Sequence, residues 1–211
     1  MYRDKPLEKY LADAAAKLPA PGGGSVSALA GALGASMAAM AANFTVGKKK
    51  FRDVEPQVRA LLDEFQDGVQ KLLGLMDRDV EAYSTVDAAY AMPKQTDEQK
   101  KARTAAIQSA LKVALDTPLR TLRLCGDLVA RLDSLVELAN PNLISDVGVA
   151  AILLEAALRG AKINVEINLA YLKDQDFVRR TAAEIDEAAA QAATTAASVL
   201  ERVYARMGWP R

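Results

Sequence analysis

An aspartate occupies a core-facing position in the longest predicted helix. The apolar residues of positions 54–76 recur at steps of three and four, as in a helix that packs along one side. Asp79 takes the next step, and Tyr83 follows one turn later. Because burial of an unpaired carboxylate is costly, Asp79 needs either an ion-pair partner, such as Arg120 or Arg123, or a function.

A second carboxylate shares a helix face with two amides. At about 100° per residue, Asp146, Asn164 and Asn168 fall on the side opposite a charged face, where we expect them to be buried. Polar groups on a buried face need hydrogen-bond partners or serve a ligand. Asp146 could alternatively be a first-turn acid that complements the helix dipole, and the asparagines could be a hydrogen-bonded pair between helices.

A glycine-rich loop leads into the most apolar helix of the chain. Pro21, Gly22, Gly23 and Gly24 stand directly before Ser25. Glycine lets a backbone come close to a ligand, and a helix N-terminus presents free N–H groups. The alternative is a tight turn with close helix packing. The loop is not a nucleotide-binding motif, since neither a preceding strand nor a GK[ST] sequence is present.

Three cations follow the same helix, and one cysteine lies in a later helix. Lys48, Lys49 and Lys50 predict either an anion-binding cluster or a solvated helix end. Cys125 is expected to be a buried apolar residue and not a nucleophile, because no histidine is present to activate it.

The composition excludes several classes of protein. The 27 basic and 27 acidic residues balance, which argues against binding to nucleic acid. A single cysteine is typical of a reducing compartment, so we expect a cytoplasmic protein. Without histidine or paired cysteines, no metal site is expected. No linker or repeat divides the chain, which favours one domain over residues 1–211.

The uncharged stretch of residues 18–47 is long enough to span a bilayer. Its side chains are mostly small, however, and these favour close helix contact over exposure to lipid. We therefore expect no membrane span. A helix that is small and apolar on all sides belongs at the centre of a bundle or at a dimer seam.

Helical periodicity runs along nearly the whole chain and predicts an all-α bundle of about six to seven helices. The first helix carries Leu7, Leu11 and Leu18 on one side. Pro118 is expected to break or kink the fourth helix, and Ser145 with Asp146 to cap the fifth. The second predicted helix is the central Ala/Gly-rich helix, the third is long, and the last ends at residues 208–210. The predicted helices cover residues 6–17, 25–46, 53–90, 96–116 with a further segment at 119–138, 145–173 and 174–207.

Four segments match a known family in order: PAPGGGSVSALAGALGASMAAMAANFTVGKKKF, MDRDVEAYSTVDAAYAMPKQTDEQK, ALDTPLRTLRLC and NPNLISDVGVAAILLEAALRGAKINVEIN. Through them, about residues 5–205 resemble the cyclodeaminase/cyclohydrolase family of folate enzymes. This family includes the C-terminal domain of formiminotransferase-cyclodeaminase and the stand-alone methenyltetrahydrofolate cyclohydrolases. The segments around Thr117 and Ser145 look most similar to the cyclohydrolases.

The resemblance implies an all-helical homodimer that acts on a tetrahydrofolate derivative and uses no cofactor beyond that substrate. The expected reaction is hydrolysis of 5,10-methenyltetrahydrofolate to 10-formyltetrahydrofolate. One alternative is formiminotetrahydrofolate cyclodeamination, which releases ammonia. Another is a non-catalytic dimeric scaffold.

The resemblance also implies roles for the residues singled out above. Asp79, Asp146 and Tyr83 would be catalytic, with Asp79 favoured as the base that takes a proton from water and stabilises the cationic substrate. Asparagine amides would meet the pterin edges, and the lysines the glutamate tail. The expected substrate-binding residues are Pro21, Gly22, Gly23, Gly24, Ser25, Asn43, Lys48, Lys49, Lys50, Asn140, Ser145, Asn164 and Asn168.

Overall fold

The computed structural model describes residues 1–208, apart from the side chain of Tyr83. Over this range the chain forms six α-helices and no β-strand, which confirms the predicted all-α bundle. Short 3-10 helices lie at Tyr2–Asp4, Lys49–Phe51 and Pro141–Leu143. The predicted helix stop at residues 209–210 lies outside the described residues. The α-helices are α1 (Leu7–Ala15), α2 (Gly23–Asn43), α3 (Glu55–Ala91), α4 (Asp97–Leu138), α5 (Ile144–Leu169) and α6 (Gln175–Met207).

The helix α4 continues through Pro118, so the predicted break at this residue is wrong. A proline inside a helix costs about 3 kcal/mol, because it removes one hydrogen bond and crowds the preceding turn. Burial of Leu115, Leu119 and Leu122 on both sides of the proline offsets this cost. The predicted start of the helix is confirmed, since the hydroxyl oxygen of Thr96 accepts the N–H of Gln99 in a capping box.

The helices α2 and α5 run antiparallel in close contact. A Cβ atom added at Gly34 would lie 2.9 Å from Cγ of Leu154, and one added at Gly160 would lie 2.5 Å from Oγ of Ser27. Small residues therefore let the two backbones approach, as the small-residue rows of α2 predict. Because later residues of α2 meet earlier residues of α5, the start of α2 lies beside the end of α5.

The opposite face of this helix pair is apolar and open. Leu33 at the middle of α2 is 52% exposed, and Ile163 of α5 is 65% exposed. The helix α2 is thus buried against α3 and α5 but is not enclosed within one chain. The exposed large apolar residues that define this α2/α5 face are Val26, Leu33, Phe44, Val149, Ile152, Ile163 and Ile167.

By length and composition alone, α2 could also cross a membrane. Of its most apolar stretch, 61% is buried inside the structure, mainly against α3 and α5. Core helices meet the same criterion of length and apolarity, and this degree of burial is what a core helix shows.

Two predicted helix boundaries need correction. The helix α2 begins at Gly23 and ends at Asn43, so the lysine run follows it after a turn. The helix α5 begins at Ile144 without a side-chain cap, so the predicted cap by Ser145 and Asp146 is wrong. The 3-10 helix Pro141–Leu143 already turns the chain into α5, which leaves Asp146 in the first helical turn.

Candidate active site

The carboxylate of Asp79 lies where α3 passes the beginning of α2. Its Oδ2 accepts the backbone N–H of Ser25 at 2.8 Å. Ser25 is the third residue of α2, so this N–H is one of those left without a partner inside the helix. Gly22 stands at the N-cap and has no side chain to cap the helix. A neighbouring helix therefore supplies the capping carboxylate, which the positive end of the helix dipole favours.

Within residues 1–208, no arginine forms an ion pair with this carboxylate. Arg120 forms an ion pair with Asp116 at 2.7 Å, and Arg123 forms one with Glu184 at 2.6 Å. The alternative in which either arginine neutralises Asp79 is therefore wrong. Burial raises the pKa of Asp79 above its ordinary value, and the hydrogen bond from the Ser25 N–H opposes that rise. The result is a carboxyl group poised to exchange a proton nearer to neutral pH.

The two asparagines of α5 present carbonyl oxygens. Nδ2 of Asn164 donates to the carbonyl of Gly160 at 2.8 Å, and Nδ2 of Asn168 donates to the carbonyl of Asn164 at 2.7 Å. Because a carbonyl can only accept, these bonds fix which end of each amide is nitrogen. Both bonds stay within α5, so the predicted pair between helices is wrong. Each side chain is half-buried and offers an acceptor to a ligand.

Asp79, the glycine loop and both asparagines line one cavity of about 290 Å³. Its lining combines an ionisable acid, the start of a helix and two amides with apolar walls. The volume lies at the lower limit of about 300 Å³ for small-molecule pockets, so a ligand larger than a ring system extends beyond it. The lining residues are Pro19, Ala20, Gly22, Gly23, Gly24, Asp79, Ala82, Val86, Ala114, Pro118, Asn164, Ile167 and Asn168.

A larger groove of about 550 Å³ between α3 and α4 is a weaker candidate for chemistry. Its cations are largely engaged, since Lys71 pairs with Asp67 and both arginines of α4 pair with acids. The groove contains neither the glycine loop nor the amides. The cavity at Asp79 is therefore the candidate active site.

The structure does not bring Asp146 to this cavity. Asp146 is half-buried in the first turn of α5, as its first-turn alternative predicts, and Ser145 beside it is exposed. Eighteen residues separate Asp146 from Asn164, which is about 27 Å along a helix. Asp146 thus lies at the start of α5, whereas Asp79 of α3 lies beside the end of α5, so one chain does not bring these two carboxylates together.

Other predicted binding residues cluster at that distant end. Asn43 is exposed and lines a separate groove beside Phe44. Asn140 ties the α4–α5 turn to α2, because its Nδ2 donates to the carbonyl of Phe44 and its backbone N–H donates to Oγ1 of Thr45. The lysines Lys48, Lys49 and Lys50 are exposed there.

Two predicted residues lie next to the cavity without lining it. Pro21 is buried behind the loop. Ser25 uses its N–H for Asp79, and its hydroxyl turns away from the cavity toward the carbonyl of Met76. Tyr83 follows Asp79 by one turn of α3, and its side chain lies outside what the structure describes.

Tyr10 is a residue that the sequence pattern did not reveal. Its side chain is 3% exposed and its hydroxyl lies 3.0 Å from Oγ of Ser25. The apolar side of α1 faces away from the core instead, with Leu7 62% exposed and Leu11 56% exposed. A tyrosine four residues after a helix-starting proline was the available signal, but tyrosines are common on helix surfaces.

Comparison with known proteins places these features in a family. The family profile for formiminotransferase-cyclodeaminase matches residues 6–187. A methenyltetrahydrofolate cyclohydrolase from Methylorubrum extorquens is 38% identical over 97% of this chain and 96% of its own length. A formimidoyltransferase-cyclodeaminase from Rattus norvegicus is 35% identical over 96% of this chain, which spans only 38% of that protein.

A solved structure shows the same architecture. The formiminotetrahydrofolate cyclodeaminase of Thermotoga maritima superposes with a TM-score of 0.85 at 32% identity, over 99% of this chain and 98% of that one. The resemblance inferred from the four sequence segments is therefore confirmed. The chain belongs to the formiminotransferase-cyclodeaminase family.

Proposed function

We propose that this protein is a methenyltetrahydrofolate cyclohydrolase, which hydrolyses 5,10-methenyltetrahydrofolate to 10-formyltetrahydrofolate. The observation that carries the proposal is the carboxylate of Asp79, which lies in a cavity where the described lining residues include no cation, and whose pKa is raised. The cyclohydrolase of Methylorubrum extorquens, similar over nearly the full length of both chains, supports this choice.

Hydrolysis needs one base that later acts as an acid. The methenyl carbon belongs to a cationic amidinium, so it accepts water directly, and the anionic carboxylate of Asp79 stabilises that cation. Water forms the new C–O bond while Asp79 takes one of its protons. The bond from this carbon to N5 then breaks, Asp79 returns its proton to N5, and the hydroxyl proton leaves as the formyl group forms. A raised pKa makes Asp79 a stronger base, which favours taking the proton from water and holding it until N5 accepts it.

The amides and the helix start would orient the folate. The carbonyl oxygens of Asn164 and Asn168 suit the N–H groups along the edge of a pterin. The first N–H groups of α2 lie at the same cavity and suit a carbonyl oxygen. The proposal calls for no cofactor beyond the tetrahydrofolate substrate, because the amidinium is already an electrophile.

Cyclodeamination of formiminotetrahydrofolate is the second candidate, favoured by the Rattus norvegicus and Thermotoga maritima relatives. In this reaction N10 attacks the formimino carbon, Asp79 takes the N10 proton and gives it to the departing ammonia. The same carboxyl group serves both reactions, since the bicyclic product of one is the substrate of the other. The hydrolase is preferred because, of the two relatives that match this chain over nearly their full length, the Methylorubrum extorquens cyclohydrolase is the more identical, at 38% against 32% for the Thermotoga maritima cyclodeaminase.

We also propose that the protein acts as a homodimer through the α2/α5 face. A two-fold axis perpendicular to the helices at Leu33 would pack α2 antiparallel on its copy and cover this apolar surface. The same axis would place the end of α2 and the start of α5 of the second subunit beside the Asp79 cavity. The second subunit would then supply Asp146, Asn43 and the lysine run, which one chain alone holds about 30 Å away along α2.

The compartment stays a prediction. Cys125 is the single cysteine of the chain and is a free, buried thiol whose pKa burial raises to about 12; a chain that cannot form an internal disulfide is typical of a reducing compartment. We therefore propose a cytoplasmic location.

One assay separates the candidates. Each folate is supplied alone, and both the methenyl chromophore and the released ammonia are followed. Faster loss of the chromophore from methenyltetrahydrofolate, with no ammonia from formiminotetrahydrofolate, supports the hydrolase. Gain of the chromophore with ammonia supports the deaminase, and no turnover of either supports the scaffold. If the protein turns over either folate, Asp79→Asn should lower kcat for that folate by at least about a hundredfold. Full activity of that variant would overturn the role of Asp79.

A further inference from the structure

A buried chain of hydrogen bonds joins α1, α2 and α3 behind the candidate base. The hydroxyl of Ser25 donates to the carbonyl of Met76 at 3.0 Å, and it lies 3.0 Å from the hydroxyl of Tyr10. A serine hydroxyl has one proton and the carbonyl of Met76 can only accept, so Tyr10 must be the donor to Ser25. Both side chains are buried, which makes the direction of these bonds costly to change.

Ser25 thereby holds α3 at two points of one turn. Its hydroxyl binds the carbonyl of Met76, and its backbone N–H binds Oδ2 of Asp79, three residues further along α3. The hydroxyl bond fixes Ser25 relative to α3, and in this position the backbone N–H points toward the carboxylate. Tyr10 closes the arrangement from α1, and its ring packs edge-on against Tyr2 with centroids 5.3 Å apart.

We infer that Tyr10 is a positioning residue for Asp79 and acts through Ser25. This inference rests on the proposed function, since it gives the carboxylate the role of base. Neither Tyr10 nor Ser25 lines the cavity, so neither is expected to touch the folate. Their part is to hold the N–H that keeps Asp79 ionised and aimed.

Among the groups that the structure describes around Asp79, the Ser25 N–H is the one that stabilises the ionised carboxylate. The residues of α4 and α5 that line the cavity carry no ionisable side chain. From α1, Tyr10 is the titratable group in electrostatic range, and burial raises its pKa, so that it stays a neutral donor. Among the described residues, the stabilisation of the carboxylate thus comes from Ser25.

The test compares Tyr10→Phe and Ser25→Ala with Tyr2→Phe. The control removes a hydroxyl from the same N-terminal segment, where Tyr2 donates to Asp13 and does not contact Ser25. We expect Tyr10→Phe to lower kcat about three- to tenfold at unchanged KM, as the loss of one buried hydrogen bond predicts. The acid limb of the rate profile should move to higher pH by roughly half a unit, because the Ser25 N–H is then held less firmly against the carboxylate of Asp79. Tyr2→Phe should keep the wild-type profile.

A direct titration makes the result independent of turnover. The carboxyl carbon of Asp79, labelled with ¹³C and identified by its absence in Asp79→Asn, is titrated by NMR in each variant. Tyr10→Phe, Ser25→Ala and the double variant should show the same upward shift, since all three break one chain of bonds. Additive shifts, or a wild-type titration in both single variants, would overturn the inference. If the wild type turns over neither folate, the proposed function fails while the titration still decides the role of Tyr10.

Discussion

Gly24 lies so close to Asp79 that any side chain at position 24 would collide with the carboxylate in its present place. A Cβ atom at Gly24 would lie 2.2 Å from Oδ1 of Asp79 and 2.8 Å from Oδ2. The glycine is not required for an unusual backbone conformation, because Gly47 and Gly208 are the positions of the described chain with positive φ. Gly24, in the first turn of α2, therefore leaves the space that the carboxylate of Asp79 occupies against the helix start.

Gly24→Ala should consequently separate folding from activity. The carboxylate lies at the end of a side chain and can swing away, so the folded protein tolerates the added methyl group. We expect kcat to fall at least about tenfold, because the displaced carboxylate no longer meets the water that it activates. Thermal unfolding should change by only a few degrees. Steady-state kinetics and calorimetry of the same preparation provide the measurement.

Gly126→Ala is the matched control for that substitution. A Cβ atom there would meet only Cδ1 of Leu158, at an ordinary distance of 3.5 Å. The control should keep wild-type kinetics and gain about 0.5–1 kcal/mol from higher helix propensity. Wild-type activity in Gly24→Ala would contradict the assigned contact.

Asp79 should also lower the stability of the protein at neutral pH. A carboxyl group whose pKa is raised by folding binds its proton more tightly in the folded state. The free energy of unfolding therefore falls as the pH rises from the ordinary value near 3.8 through the raised value, and it stays lower above it. Asp79→Asn removes this loss, since an amide oxygen can still accept the Ser25 N–H.

The check is a series of melting curves from pH 4 to pH 8 for both proteins. We expect Asp79→Asn to unfold at a higher temperature than the wild type at pH 8, with the difference shrinking toward acid pH. Comparing two proteins that differ at one group cancels the titration of all others. A difference that grows toward acid pH would mean that folding lowers the pKa of Asp79.

The sequence predicts the position of Asp79 better than it predicts its neighbours. The apolar steps of α3 place Asp79 on the packed side because that pattern depends only on local geometry. A helical wheel gives angles but no distance along the axis, so it grouped Asp146 with Asn164 although a whole helix length separates them. The hydrophobic pattern of α1 misplaced its buried side, since Tyr10 is held by hydrogen bonds that no periodicity records. Pro118 failed as a breaker because tertiary packing outweighs local propensity.

Asn168→Ala should weaken substrate binding more than catalysis. The change removes a carbonyl acceptor from the cavity and leaves the carboxylate in place. Loss of one hydrogen bond to a ligand N–H predicts a rise in KM of about tenfold, with kcat within about threefold of the wild type. Gln191→Ala, at an exposed amide of α6, a helix that contributes no residue to the cavity lining, is the control and should change neither constant. An unchanged KM for Asn168→Ala would remove this residue from the site.

The last prediction concerns the α2/α5 face. Leu33 stands at the middle of α2, so in the proposed dimer the two copies of this residue face each other across the axis. Leu33→Glu would place two carboxylates together on an apolar surface, which repel and lose their hydration. We expect the wild type to elute as a dimer and the variant as a monomer in size-exclusion chromatography with light scattering.

Val113→Glu is the matched control, because Val113 is 53% exposed against 52% for Leu33 and lies on α4, which contributes none of the residues that define the α2/α5 face. It should remain a fully active dimer. Leu33→Glu should lose activity although Leu33 lies about 15 Å from the start of α2, since the cavity then lacks the residues of the second subunit. A monomeric wild type, or an active monomeric variant, would contradict a shared site. In either of those cases one chain alone must suffice, and Asp146 and the lysine run would have no part in the reaction.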